Sequence, residues 1–160
     1  QAYQYLLEAI KRDGVPYDLI SKSLPTVEGA VNDILAQIVD FSVVFSMNGK
    51  DIDTHIVYDD DRVWSLELSS GMERFISSLA IRIGLMNVSN LPQGNFLAID
   101  EGWGTMDSDN LNSVAQLFQY LKSQFQFTFV VSHIETMRDF VDTLLEIKKV
   151  DGSSSVRFSR

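Results

Sequence analysis

Two apolar runs of strand length, residues 96–99 and 127–131, flank an amphipathic helical stretch at 111–125. Strand, helix and strand in that order predict a parallel pair in an open α/β sheet, and near-continuous apolar runs are the pattern of strands buried on both faces. In such sheets ligands bind outside the carboxyl ends of the strands. The first run ends in Ile99-Asp100-Glu101-Gly102 and the second in Val131-Ser132-His133, so two carboxylates and an imidazole are expected at one rim. Adjacent strands lie about 4.8 Å apart, and even with one strand between them these groups could meet one ligand within about 10 Å.

The rest of the chain changes period several times. Tyr3, Leu6, Leu7 and Ile10 share a helical face, and Asp13-Gly14-Val15-Pro16 stops that run. Val27, Ala30, Val31, Ile34, Leu35 and Ile38 predict a second helix, with Pro25 placed in its first turn. Phe41, Val43, Phe45 and Met47 then alternate, Asn48-Gly49 supplies a tight turn, and strands near 51–58 and 62–66 complete an antiparallel meander. After Gly71 the pattern is helical again, with Phe75, Ile76, Leu79, Ala80, Ile83 and Met86 on one face. Residues 144–150 and 155–158, joined around Asp151-Gly152, predict a terminal hairpin on the sheet edge.

Adjacent Asp100 and Glu101 directly after a buried strand must be paired, metal-associated or used, although each alone reads first as a solvated turn residue and His133 alone as a satisfied strand-end histidine. The pair suits magnesium and a general base: Asp100 would hold the metal, directly or through water, and Glu101 would polarise an attacking water. A second candidate is Leu68-Ser69-Ser70-Gly71-Met72-Glu73, a small-residue loop opening a helix whose free amides form an anion site. Ser70 and Glu73 also make a capping box that would stabilise the helix without a ligand. The two readings are compatible, since with Ser70 capping, Ser69 is left to reach a phosphate oxygen and Gly71 admits close backbone approach. In Gly102-Trp103-Gly104-Thr105-Met106-Asp107, Asp107 reads as the N-cap of the next helix, in a loop that could also touch a partner. Arg82, on or beside the apolar stripe of its helix, needs a partner: either a plain salt bridge or, if the loop before its helix binds a phosphate, a contact that relays that binding.

Composition narrows the classes. The 160 residues carry no cysteine and two histidines, His55 and His133, which excludes a disulfide framework, a cysteine metal site and a histidine cluster. A net charge of −9 argues against nucleic-acid binding through a broad basic face of this chain. No apolar run reaches a membrane span and no charged-then-apolar leader opens the sequence, so a cytoplasmic or nuclear location is expected. Beginning at Gln1 inside a helical pattern, the chain reads as a fragment or a processed product.

In their order, Leu68-Ser69-Ser70-Gly71 with its helix, the strand into Asp100-Glu101, Gly104-Thr105-Met106-Asp107, and Val131-Ser132-His133 resemble the C-terminal half of an ABC-type ATPase head. The sequences running from Asp100 to Asp107 and from Ser132 to Met137 are similar to the SbcC branch, the SMC-related ATPases of DNA double-strand-break repair. The resemblance implies a C-terminal ABC-type lobe over residues 15–160, with a signature loop at 68–72, the Asp-Glu strand at 96–101, a D-loop at 104–107 and a His loop at 132–134. Residues 1–14 would end a coiled-coil arm.

The resemblance further implies two heads dimerised around two ATP molecules. Asp100 (Mg2+, through water), Glu101 (catalytic base) and His133 (terminal phosphate) would serve the ATP of their own head. Ser69, Ser70 and Gly71 would face the ATP of the opposite head, with Asp107 near the dimer seam. Implied partners are the N-terminal half of the same head, a second copy of the head, an SbcD-type nuclease and DNA in the assembled complex, with no membrane. An SMC-like scaffold with little or no hydrolysis is the alternative. The sequence departs from the pattern at Ser70, usually Gly, and at Met72, usually Glu or Gln. No G-x-x-x-x-G-K-[ST] phosphate loop occurs in the 160 residues, so the chain alone should not hydrolyse ATP well.

Overall fold

A computed structural model describes residues 2–11, 13–49, 51–59, 61–100, 103–104 and 111–159. Helix α1 (Ala2–Ala9) is followed by α2 (Val15–Leu35), the meander β1 (Ser42–Asn48), β2 (Asp51–Asp59) and β3 (Arg62–Ser65), and a 3-10 turn at Leu66–Leu68. Then come α3 (Gly71–Val88), β4 (Phe96–Asp100), α4 (Leu111–Gln124), β5 (Phe127–Val131), a second 3-10 segment (Glu135–Phe140) and a hairpin of β6 (Leu144–Val150) and β7 (Ser153–Ser159). The expected mixed α/β architecture is present: β4 and β5 pair in parallel, while the meander and the terminal hairpin are antiparallel.

Helix α2 starts twelve residues before Val27, at Val15. Pro16, not Pro25, occupies the first turn, where its missing N–H costs no helical bond. Pro25 lies inside the helix and cannot donate to the carbonyl of Ser21. The apolar face of α2 is buried only in its second half, at Val31, Ile34 and Leu35, whereas Val15, Leu19 and Ile20 are exposed.

Helix α2 also closes the β1 edge of the meander. Asn32 Nδ2 donates to the Val43 carbonyl (2.9 Å), Val43 N–H donates to Asn32 Oδ1 (2.8 Å), and Phe45 N–H donates to Glu28 Oε2 (2.7 Å). Four helical residues rise about 6 Å and two strand residues about 6.7 Å, so side chains at positions 28 and 32 match the outward backbone groups at 45 and 43. An edge that would otherwise recruit another strand is thereby occupied.

The core joins α2, β1, β2, α3 and α4 through Val31, Leu35, Val43, Ile56, Ile76, Ile83, Val114 and Leu121, all nearly inaccessible. Helices α2 and α3 approach closely at Gly84, where an added Cβ would sit 2.7 Å from Val31 Cγ2 and 3.3 Å from the Val31 amide nitrogen. At Gly29 of α2 nothing lies within 4 Å of such an atom. The same substitution is therefore expected to act with opposite signs: Gly29→Ala should stabilise by up to about 1 kcal/mol through helix propensity, and Gly84→Ala should destabilise by about 1–3 kcal/mol through overpacking. Urea unfolding midpoints of the two variants check this.

The strands β4 and β5 are not buried on both faces. Phe96 and Phe127 are 62% and 60% exposed, and Ala98, Phe129 and Val131 are exposed with them. Because Phe96 pairs with Phe127 and Ala98 with Phe129, these side chains form one continuous apolar face. The opposite face, Leu97, Ile99 and Val130, packs on the core. The two-sided apolar pattern is real, but one of its sides is bare in this chain. The hairpin β6–β7, turning through Asp151 (φ 50°) and Gly152 (φ 82°), forms its own two-stranded sheet rather than extending the edge of β4–β5. No described helix is long and apolar enough to cross a membrane.

Candidate functional site

Asp100, the last residue of β4, lies in register with Val131, the last of β5, and His133 follows two residues later. The two strands are direct neighbours, so Asp100 and His133 reach the same rim with no strand between them. Both are exposed, so within this chain Asp100 is a solvated carboxylate rather than a buried charge that must be paired. The Ser132 hydroxyl accepts from Ile134 N–H (3.1 Å), which turns the chain just past the rim. Glu101 and Asp107 lie outside the described residues.

Among the described residues no three His, Asp or Glu side chains converge as a metal cage. Magnesium does not require one: it keeps several waters and takes one or two carboxylates plus phosphate oxygens, so an exposed Asp100 at a strand end fits it.

Between Glu101 and the next helix, Trp103 is anchored rather than displayed. It is 1% exposed, and its ring lies 4.7 Å from Phe75 of α3 and 5.4 Å from Phe118 of α4, with Phe118 in turn 5.8 Å from Phe140. This ladder ties Trp103, three residues past the end of β4, to α3, to α4 and to the segment after His133. Its signal in the sequence is a bulky apolar residue flanked by glycines in a polar loop.

At the loop opening α3 the expectation holds for Ser70 and fails for Ser69. Ser70 is the N-cap of α3, and both halves of the capping box form: Glu73 N–H donates to Ser70 Oγ (3.2 Å) and Ser70 N–H donates to Glu73 Oε2 (2.6 Å). Ser69 is not left for a ligand. It is buried, and its hydroxyl donates to the Leu66 carbonyl (2.6 Å), bracing the turn from within. The outward groups are Ser70, which is exposed, and Gly71, which is half-buried. Met72 is buried in the core and offers nothing to a ligand, which accounts physically for an apolar residue at that position.

Arg82 is exposed as well. Six residues beyond buried Ile76 it lies about 240° round the helix, away from the stripe, so water can solvate its charge and no internal partner is required.

Tyr58 of β2, not singled out by the sequence, completes this region. Its hydroxyl donates to Glu73 Oε1 (2.6 Å). Burial, then the hydrogen bond to Glu73, push the Tyr58 hydroxyl up to about 12. Burial also raises Glu73, but the Tyr58 hydroxyl and the backbone and side chain of Ser70 outweigh it and hold the carboxyl below its ordinary value. A cleft of about 190 Å³ lined by Gln37, Gln116, Gln119, Tyr120 and Ser123 contains none of the expected site residues.

No known family profile matches the chain. It is 34% identical over 170 residues to the uncharacterized protein R555 of Acanthamoeba polyphaga mimivirus, covering 96% of this chain and 13% of that protein. It is 30% identical over 123 residues to the SbcC component of the SbcCD nuclease of Staphylococcus aureus, covering 74% of this chain and 12% of that protein. The chain thus spans about an eighth of the length of these curated relatives. Among solved structures, one from a study of ATP-driven dimerization and DNA-stimulated activation of SMC ATPases matches with a TM-score of 0.71 at 17% identity, covering 89% of both chains. The SMC head domain from Thermotoga maritima matches with a TM-score of 0.62 at 22% identity, over 89% of this chain and 51% of that one. Sequence kinship with SbcC and the fold of SMC ATPase heads together make this chain a C-terminal head segment of the SbcC/SMC type.

Proposed function

We propose that the chain supplies one half of an ATP-binding and hydrolysing head in a DNA double-strand-break repair nuclease complex, switched by ATP-driven head dimerisation. The observation that carries this reading is the placement of Asp100 and His133 at one carboxyl rim of adjacent parallel strands, with the capped amide end of α3 as a second group suited to an anion. One chain thereby offers groups suited to two nucleotides. Asp100 would hold Mg2+ through water beside the ATP of its own head, Glu101 would take the proton of the attacking water, and His133 would touch the terminal phosphate. Ser70 and Gly71 would meet the ATP of the opposite head, braced by Ser69, with Asp107 near the dimer seam. Bound Mg2+ would neutralise charge developing on the phosphates.

The bare apolar face of β4–β5 supports an N-terminal half of the same head as a partner: a two-stranded parallel sheet needs cover on both sides, and the phosphate loop must come from outside these residues. The acidic net charge assigns DNA contact to the assembled complex with an SbcD-type nuclease rather than to this chain. A cytoplasmic or nuclear setting follows. An SMC-like scaffold is favoured instead by one observation, the likeness to Smc heads, one of them bound to the winged-helix domain of ScpA.

Sedimentation of the complete head, both halves present, tests the proposal. ATP with Mg2+ should convert monomers to dimers, and nucleotide removal should reverse it. A head that neither associates with ATP nor hydrolyses it would overturn the reading; association without turnover would favour the scaffold.

A further inference from the structure

Glu73 spends its two carboxylate oxygens in opposite directions. Oε2 accepts the Ser70 N–H at the mouth of α3, and Oε1 accepts the Tyr58 hydroxyl from the meander, both at 2.6 Å. Hydrogen bonds to a carboxylate are short and roughly twice as strong as neutral ones, so Glu73 is a fixed link rather than a loose cap.

Tyr58 is itself held from three sides. Its ring lies 5.4 Å from Phe41 and 5.4 Å from Trp64, and the Arg62 guanidinium sits over it at 5.2 Å. Asp59 accepts from Arg62 Nε (2.7 Å), fixing that guanidinium in turn. The β2–β3 register shifts between Val57 and Asp59, which places Tyr58 at a strand irregularity. Such irregularities re-aim a side chain and concentrate next to functional sites. Here the re-aimed side chain points at the one carboxylate that holds the signature turn.

We propose that Tyr58 is a positioning residue for nucleotide captured across the head dimer: acting through Glu73, it fixes the Ser70 amide and the opening of α3 that face the opposite head's ATP. The inference rests on the reading of Ser70 and Gly71 given above. It also explains how an acidic side chain is tolerated where phosphate would approach, since the Tyr58 proton draws on the Glu73 charge. Without that proton, one carboxylate oxygen in a half-buried place is left unpaired and the turn is held from one side only.

Tyr58→Phe in the complete head removes the hydroxyl and keeps the ring. ATP-dependent dimerisation should weaken about tenfold, the scale of losing one hydrogen bond to a charged group, while nucleotide affinity of the isolated head stays within about twofold. Amide hydrogen exchange at Ser70 and Glu73 should accelerate without change in the core amides of α3. Exchange and dimerisation both at wild-type levels would overturn the inference, and so would a matched loss of nucleotide affinity, which a merely structural role would produce. Should Tyr58→Phe fail to fold, Glu73→Gln, which keeps the shape but leaves one uncharged acceptor oxygen and turns the other into an NH2 donor, is read by the same exchange and dimerisation measurements, with wild-type values again overturning it. Failure of the wild-type head to dimerise would sink the earlier proposal instead, and exchange at Ser70 would still decide whether Tyr58 holds the turn.

Discussion

Replacing Glu101 by Gln in a complete head is expected to cut ATP turnover by about 10² or more while leaving nucleotide-driven association intact or strengthened. Glutamine has the size and acceptor oxygen of glutamate but cannot take a proton at neutral pH. It can orient a water without activating it. Asp100, one residue earlier and at the end of β4, keeps its carboxylate, so magnesium and nucleotide should still be held. Loss of the negative charge beside the phosphates would also favour the closed dimer, because an ionised carboxylate there repels the nucleotide until the water is consumed. Single-turnover phosphate release with sedimentation in the same buffer separates the two effects. Turnover equal to wild type would remove Glu101 as the base and leave the scaffold reading in possession of the fold.

How far the sequence can be read depends on whether the relevant partner is near or far along the chain. The capping box of Ser70 and Glu73 follows from spacing alone, because its two hydrogen bonds close within three residues. The hairpin turn at Asp151-Gly152 is equally local, and both residues have the positive φ that a two-residue turn demands. Where that hairpin would dock is a non-local question, and it forms a separate sheet. The apolar runs at β4 and β5 identify parallel strands, yet periodicity reports only that a face avoids water, not which chain covers it. Ser69 escapes a correct reading for a related reason: its acceptor is a backbone carbonyl, Leu66, exposed by a 3-10 turn that leaves no mark on residue type. Tyr58 meets Glu73 across fifteen positions of sequence, through a strand irregularity that no alternation of polar and apolar residues announces.

Trp103 should be the most costly side chain to truncate. Trp103→Ala is expected to destabilise the head by about 3–5 kcal/mol, the range for removing a large aromatic from a packed interior. The residue is 1% exposed and stands between Phe75 and Phe118, so its loss opens a cavity at the junction of α3, α4 and the loop after β4. Each ring contact adds about 0.5–1.5 kcal/mol beyond the area buried. Such a change should lower the melting temperature by on the order of 10 °C for a domain of this size. Trp103→Phe should recover much of the loss. Phenylalanine refills most of the volume, and it removes an indole N–H that is buried without a hydrogen-bond partner among the described residues. Trp64→Ala serves as the comparison, because Trp64 is only half-buried at the end of the meander and should cost distinctly less. Equal losses for the two tryptophans would show that Trp103 is not the centre of the packing, and that something other than this ladder of rings joins α3 to α4.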